Sequence, residues 1–470
     1  MKAAFTTIGC RFNQFETAEM EDIFKAMDFD IVPFSDSANI YVINTCTVTN
    51  RSDYRCRQTI RRAIQTNKDA LIVVTGCYSQ INPEEIGSIK GVDMILGNME
   101  KLNIVNYLEE FNVFKNGGRE IKKLDNTRIF VSDINTAREF KSRKISNFSG
   151  RTSAYLKIQT GCDMTCSFCI VTIARGPSIS EKPEIILNQA QELADSGFKE
   201  IVLTGVNLGS YGDSLKAKTE LSELVEMLTS VKGIERIRLS SINPREVSEG
   251  LISLIKKSKK VCRHLHIPLQ SGDNEILKRM RRDYSFEFYR DLIIKLKYNI
   301  ADIGIGADVI VGFPGEDEEK FKNTYRLIEE FPLSYLHVFT YSQREGTDAY
   351  SYNGQIIEST KKERCSAIKK LGEKKSNIFR EGFIGKICKV LIENTRDRET
   401  GFLKGYTDNY IPVMLKACSE RSPMTMIDNH SQGRSESGGD ELMNKIVNVR
   451  ITEVSGDIVR GELEKNNETE

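Results

Sequence analysis

The chain has 470 residues, 39% of them hydrophobic and 28% charged, with a formal net charge of +1. That balance describes a globular chain of about two to four domains. It excludes a uniformly basic nucleic-acid binder, so any surface for RNA has to be local.

No apolar run is long enough for a transmembrane helix. Met1-Lys2-Ala3-Ala4-Phe5-Thr6 lacks the apolar core of a signal peptide, so a cytoplasmic protein is expected. In that compartment the 11 cysteines are expected to bind metal or do chemistry rather than to pair as disulfides.

The N-terminal third alternates apolar, β-rich runs at 2–8, 40–44, 71–75 and 92–96 with helical stretches at 13–27, 51–66 and 83–89. This pattern predicts a parallel sheet with helices on both faces. Cys10, Cys46 and Cys77 each follow one of the first three strands by a short turn. In a parallel sheet all strand C-termini share one edge, where open α/β sheets place ligands. The three thiols are therefore predicted to converge, with Gly9 and Gly76 letting backbone approach what binds there. A three-thiolate cluster site is the sharp reading; three unrelated buried residues are the alternative. Cys56, within the 51–66 helix, has no equivalent position and is expected to be structural. The same helix carries Arg51, Arg55, Arg57, Arg61 and Arg62, either a solvated face or one turned to an acidic partner such as RNA.

From 112 to 153 the pattern weakens into an inter-domain connection with one short strand expected at 128–131. Its basic end, Lys141, Arg143, Lys144 and Arg151, is a linker or a strip that touches phosphates.

From residue 155 to about 342 the chain repeats strand then helix six times, with strands expected at 155–159, 200–203, 236–239, 263–268, 304–311 and 335–340. Six sequential right-handed units should curl into a partial barrel with its working residues on the loops after the strands. After the first strand comes Cys162-Asp163-Met164-Thr165-Cys166-Ser167-Phe168-Cys169, a C-x3-C-x2-C pattern. Three thiolates suit a [4Fe–4S] cube and leave one iron open to a small molecule. A structural zinc site would want a fourth ligand, and none lies nearby in sequence; three inert buried cysteines are the other alternative. The later turns carry Gly205 and Asn207, Ser240 and Ser241, then Gln270 and Ser271, and the Gly312-Phe313-Pro314-Gly315 turn follows strand five. Glycines admit a ligand to backbone amides, and Ser, Asn and Gln bind ribose or amino-acid polar groups; ordinary turn chemistry is the alternative. His264 and His266 alternate on strand four; core packing is expected, with one of them facing the barrel interior as the alternative.

Residues 383–464 carry short strands expected at 385–394, 403–406, 410–415 and 445–454, a small antiparallel β-barrel. Lys386, Lys389, Arg396, Arg398 and Lys404, with Phe402 and Tyr406 available for stacking, make a modest case for RNA. The 417–440 insert is expected to be a mobile loop, with no metal on its Cys418.

The C-x3-C-x2-C stretch at the mouth of a six-unit partial barrel resembles the radical S-adenosylmethionine enzymes. The three upstream cysteines narrow the resemblance to the methylthiotransferases. Thr7-Ile8-Gly9-Cys10-Arg11-Phe12-Asn13-Gln14-Phe15-Glu16-Thr17, Asn44-Thr45-Cys46-Thr47-Val48-Thr49 and Leu203-Thr204-Gly205-Val206-Asn207-Leu208-Gly209-Ser210-Tyr211-Gly212 resemble the MtaB branch. Thr172, where relatives tend to have Pro, departs from the pattern.

The resemblance implies an α/β chain of an N-terminal domain over 1–112 for an auxiliary cluster, a connection over 113–153, a radical core over 154–378, and a TRAM-like RNA-binding domain over 379–465. It implies two [4Fe–4S] clusters, one on Cys162, Cys166 and Cys169 and the other on Cys10, Cys46 and Cys77. S-adenosylmethionine would serve as radical source and methyl donor, with Gly205, Asn207, Ser240, Ser241, Gln270 and Ser271 as candidate contacts. The implied reaction adds a methylthio group to carbon 2 of N6-threonylcarbamoyladenosine at position 37 of tRNA. A carbon radical removes the hydrogen, because that C–H bond offers no acid–base handle; no catalytic residue beyond the clusters is expected. Partners would be the tRNA anticodon loop, an electron donor and a sulfur donor, with no membrane. The rivals are the same chemistry on isopentenyladenosine or on a ribosomal protein, and a non-catalytic iron–sulfur RNA-binding protein.

Overall fold

The structure, a computed structural model, describes residues 1–111, 113–115, 120–143, 145, 148, 151–415 and 439–464. Cys418 and nearly all of the 417–440 insert lie outside the described residues.

The strand runs of the N-terminal third form one six-stranded parallel sheet. Its order is Asp30–Val32, Lys2–Thr7, Ile40–Thr45, Leu71–Gly76, Met94–Leu96 and Arg128–Phe130. Ile40–Thr45 and Leu71–Gly76 are buried along their whole length. That is why they read as continuous apolar runs, since helices cover both faces of such a sheet. The helices Arg11–Lys25 and Asn50–Thr66 supply that cover. The strand order reverses between Lys2–Thr7 and Ile40–Thr45, which opens a crevice at their C-terminal ends. Arg128–Phe130, expected inside the connection, is the edge strand of this sheet.

The central region pairs Ser153–Lys157, Glu200–Thr204 and Arg236–Leu239 in parallel, and likewise His264–His266, Gly304–Val311 and Tyr335–Thr340. Two parallel bridges, Ile237 to Val261 and Ser241 to His266, join the triplets into six strands in sequence order. This is the six-unit partial barrel. The 24-residue helix Glu358–Glu381 packs on its last strand and leads into the C-terminal domain.

That domain is a closed barrel of Ile387–Arg396, Leu403–Thr407, Pro412–Leu415, Ile458–Leu463 and Ile446–Ser455. It is antiparallel except between Pro412–Leu415 and Ile458–Leu463. Its Thr407–Tyr410 turn plugs the base of the partial barrel. Arg236 donates to the Tyr406 carbonyl at 2.9 Å, and Arg238 to those of Thr407 and Asp408 at 3.0 Å each. Asn409 Nδ2 donates to the Asp302 carbonyl at 3.0 Å.

Buried ion pairs lock the N-terminal sheet to the partial barrel. Arg175, on the short helix Val171–Arg175 just past Cys169, binds Glu16 through both carboxylate oxygens, at 2.5 and 2.9 Å. Lys101 meets the same carboxylate at 2.5 Å, Lys157 meets Glu19 at 3.1 Å, and Arg344 meets Asp53 at 2.7 Å. Burial would raise the Glu16 carboxyl, but Arg175 and Lys101 pull it down to about 2.

Candidate active site

Cys10, Cys46 and Cys77 stand where the three central strands of the N-terminal sheet end. Cys10 caps the helix Arg11–Lys25, so the amides of Asn13 and Phe12 face its sulfur. Two glycines make the approach possible. Gly9 has φ +128°, and a Cβ there would lie 2.8 Å from Cys46 Cβ and 3.3 Å from its Sγ. Gly76 has φ +101°, and a Cβ there would meet the Thr45 carbonyl at 2.4 Å. Arg175 Nε donates to Cys77 Sγ at 3.1 Å, and its Nη2 to Asn13 Oδ1 at 2.7 Å. Burial and the neighbouring Cys77 and Cys10 push the Cys46 thiol up to about 12. Cys10 is exposed at the surface, yet desolvation by the atoms packed round its sulfur raises it, against the pull of Arg175, with Cys77 adding to the rise. Each thiolate would thus face the others, a repulsion that a bound cation relieves. Cys56 is fully buried behind this edge, its thiol turned to the Cys46 carbonyl at 3.4 Å.

Cys162, Cys166 and Cys169 occupy one loop, closed by the Cys169 amide donating to the Cys166 carbonyl at 3.1 Å. Burial and the charges of Cys166 and Cys162 raise Cys169 to about 12. Burial raises Cys162 too, and Cys166 and Glu246 add to the rise. Arg282 Nη1 donates to Cys166 Sγ at 3.1 Å. Three soft sulfur donors per site suit a cluster with one open iron better than a structural zinc, which wants four ligands. Among the described residues, the group of His, Cys or acidic side chains whose ligand atoms all lie within 4.8 Å of one another is His266, Asp308 and His337, not either thiol trio.

A cavity of ≈ 1310 Å³ lies between the sheet edge and the barrel interior. Gly9, Cys10 and Cys46 line one side, and Gly205, Ser240 and Ser241 from the barrel turns line the other. Ser240 Oγ, on the cavity wall, is buried without a hydrogen-bond partner. An unpaired buried polar atom is costly, so it fits a polar ligand. Gln270 Oε1 is also unpaired, but its residue, at φ +63°, is not among those that line the cavity. Asn207 and Ser271 are placed differently. Asn207 Nδ2 donates to Glu246 Oε1 at 2.8 Å, and Ser271 Oγ pairs with Thr324 Oγ1 at 3.3 Å.

Sequence reasoning missed two features. His264 and His266, expected in core packing, both line the cavity. Tyr335 OH joins His264 Nε2 at 2.8 Å to His266 Nδ1 at 3.1 Å, and His266 Nε2 meets Asp308 Oδ1 at 2.9 Å. Residues two apart on a strand share a face, so their common orientation was readable. The other is Arg175, whose signal was a lone cation ending the apolar run after Cys169.

The cavity mouth is basic. Arg51, Arg55, Lys362 and Lys369 line it, exposed, and none makes an ion pair among the described residues. Arg57 is instead paired with Glu85 at 2.8 Å. In the C-terminal barrel Lys404 pairs with Glu393, Arg396 with Asp440 and Lys386 with Asp302. Tyr406 is half-buried and stacks on Tyr410 at 5.1 Å, beside the domain interface. Among the described residues no helix is long and apolar enough to cross a membrane.

The radical SAM superfamily model matches residues 156–328, and the model described as "Uncharacterized protein family UPF0004" matches residues 2–97. The threonylcarbamoyladenosine tRNA methylthiotransferase MtaB of Bacillus subtilis is 41% identical, over 89% of this chain and 91% of its own. The protein of that name from Aquifex aeolicus is 39% identical, over 89% and 98%. A tRNA-2-methylthio-N(6)-dimethylallyladenosine synthase of Ehrlichia canis is 33% identical, over 90% and 96%. The radical S-adenosylmethionine methyltransferase TsrM of Kitasatospora setae superposes with a TM-score of 0.52 at 13% identity, covering 74% of each chain; this is a likeness of fold.

Proposed function

The chain belongs to the threonylcarbamoyladenosine tRNA methylthiotransferases, and from that premise we propose how its parts divide the work. It is a radical S-adenosylmethionine enzyme that adds a methylthio group to carbon 2 of N6-threonylcarbamoyladenosine in tRNA. Cys162, Cys166 and Cys169 hold the radical cluster, and Cys10, Cys46 and Cys77 hold an auxiliary one. When bound, these groups and S-adenosylmethionine supply a carbon radical, a sulfur and a methyl group. The observation that carries the reading is a shared cavity with thiols of the sheet edge on one wall and barrel turns on the other.

The protein's own residues bind and orient. Gly205 and Ser241 shape the wall against S-adenosylmethionine, and Ser240 Oγ takes one of its polar groups. Asn207 ties its turn to Glu246, and Ser271 braces the next one. Arg175 and Arg282 each fix one cluster sulfur with a charged donor. Arg51, Arg55, Lys362 and Lys369 attract the phosphates of the anticodon loop, and the base leaves its single-stranded stack to enter the cavity. An electron donor and a sulfur donor act on the same sites.

Nucleoside mass spectrometry of tRNA from cells lacking the gene tests this. The 2-methylthio derivative of threonylcarbamoyladenosine should vanish while its precursor accumulates. Loss of the isopentenyladenosine derivative instead would transfer the assignment to the sister reaction.

A further inference from the structure

We propose that the floor of this cavity is a recognition site for the carboxylate on the N6 substituent of the substrate, with Arg11 as the anion-binding group. Tyr410 of the C-terminal barrel holds Arg11 in place. The inference rests on the substrate assigned above.

Carbon 2 and the N6 position flank the same edge of adenine, with N1 between them. A base that presents carbon 2 to the Cys10–Cys46 wall brings its threonylcarbamoyl group into the same cavity. The free acid is ionised at neutral pH, and an anion taken out of water needs a paired, hydrogen-bonding partner. Arg11 follows Cys10 directly and lines the cavity. It is half-buried and makes no ion pair among the described residues. Its one polar contact there is neutral: Nη2 donates to Tyr410 OH at 2.6 Å, and the guanidinium lies 5.6 Å from that ring. The cations elsewhere on the wall are placed for other work. Lys361 donates to the Tyr341 carbonyl at 3.1 Å, and Arg51, Arg55, Lys362 and Lys369 sit exposed at the mouth.

The surroundings of Arg11 suit an acid and not a hydrocarbon. Tyr410 lies tilted against His264 at 4.8 Å and stands 6.1 Å from Tyr335. His264 is 2% exposed and its Nδ1 has no hydrogen-bond partner. Asp308 and Glu358 are the carboxylates on the wall. His266 and His337 meet Asp308 at 2.9 and 3.4 Å, and Glu358 begins the helix of the exposed mouth. Tyr410 is held at φ +73°, a strained conformation for a tyrosine, by a turn that Arg238 and Asn409 anchor. The C-terminal barrel thus contributes a side chain to the reaction cavity.

The test compares two anticodon stem-loop RNAs on the holoenzyme, one carrying threonylcarbamoyladenosine and one carrying its threoninamide, by equilibrium binding and by product formation. The unaltered protein should favour the acid by on the order of tenfold to a hundredfold, the range of a charge-assisted contact. Arg11→Gln should remove that preference by weakening the acid alone. Arg11→Lys should restore part of it, and Tyr410→Phe should fall between. Equal binding of acid and amide by the unaltered protein would overturn the inference. So would an Arg11→Gln variant, compared at equal iron content, that loses both RNAs by the same factor. If an isopentenyladenosine stem-loop is methylthiolated and the threonylcarbamoyl one is not, the substrate reading fails first. If the threonylcarbamoyl RNA reacts without regard to its charge, this inference alone fails.

Discussion

Cys162, Cys166 and Cys169 come from eight consecutive residues, whereas Cys10, Cys46 and Cys77 come from three loops of a parallel sheet. Both trios place one arginine N–H 3.1 Å from a sulfur: Arg282 on Cys166 and Arg175 on Cys77. The difference lies in what holds each arginine. Arg282 is kept by Asn243 and lies over the Tyr284 ring, all within the barrel loops. Arg175 is kept by Glu16 across the domain boundary, in a fully buried pair. The loop site is therefore a local object, while the sheet-edge site depends on the whole docking of two domains. A thiol trio drawn from distant loops needs such a tie, because nothing in the covalent chain holds its sulfurs together.

The sharpest way to break this comparison is to remove ligands. Cys162→Ala should end both cleavage of S-adenosylmethionine and methylthiolation. Cys46→Ala should leave cleavage to 5′-deoxyadenosine and end methylthiolation, as read by chromatography of both products. Methylthiolated RNA from the Cys46→Ala protein would erase the distinction between the trios.

Next come the arginine ties. Glu16→Ala leaves Arg175 and Lys101 buried without a carboxylate, which should cost roughly 3–5 kcal/mol in denaturant unfolding. Arg282→Gln should cost less, about 1–2 kcal/mol, because its partners are local and no buried carboxylate is left unpaired. Equal losses would mean that docking adds nothing to the sheet-edge site.

Acid should reveal the same asymmetry. The folded Glu16 carboxyl lies at about 2, below its ordinary 4.5. A depressed acid contributes stability above its unfolded pKa and loses it as pH falls. On the order of 3 kcal/mol should therefore disappear between about pH 4.5 and pH 2. Glu16→Gln should flatten that part of the stability profile.

The smallest effect is expected at the mouth. Replacing Arg55 and Lys362 by Ala should reduce the salt slope of RNA binding by roughly 0.7 for each phosphate no longer neutralised. The affinity difference between acid and amide RNAs should stay.

The parallel sheet and partial barrel were legible because buried strands announce themselves as apolar runs between amphipathic helices. The contiguous trio was legible as a motif. The distant trio was legible only through topology, since three strand ends on one edge must meet. Arg175 and Glu16 were not, because a buried ion pair between residues 159 apart leaves no periodic trace. Arg11 and Tyr410 escaped for the same reason: their 2.6 Å contact exists only once the C-terminal barrel closes the base of the central one. His264 and His266 read as packing residues, although two-residue spacing on a strand already puts them on one face.

The claim most directly open to measurement is that two separate thiol trios each hold a [4Fe–4S] cluster. Iron should be counted in anaerobically reconstituted protein, and in the variants that replace each trio by Ala. The account predicts about eight irons per chain in the unaltered protein and about four in each variant. About four in the unaltered protein, unchanged when Cys10, Cys46 and Cys77 are replaced, would contradict it.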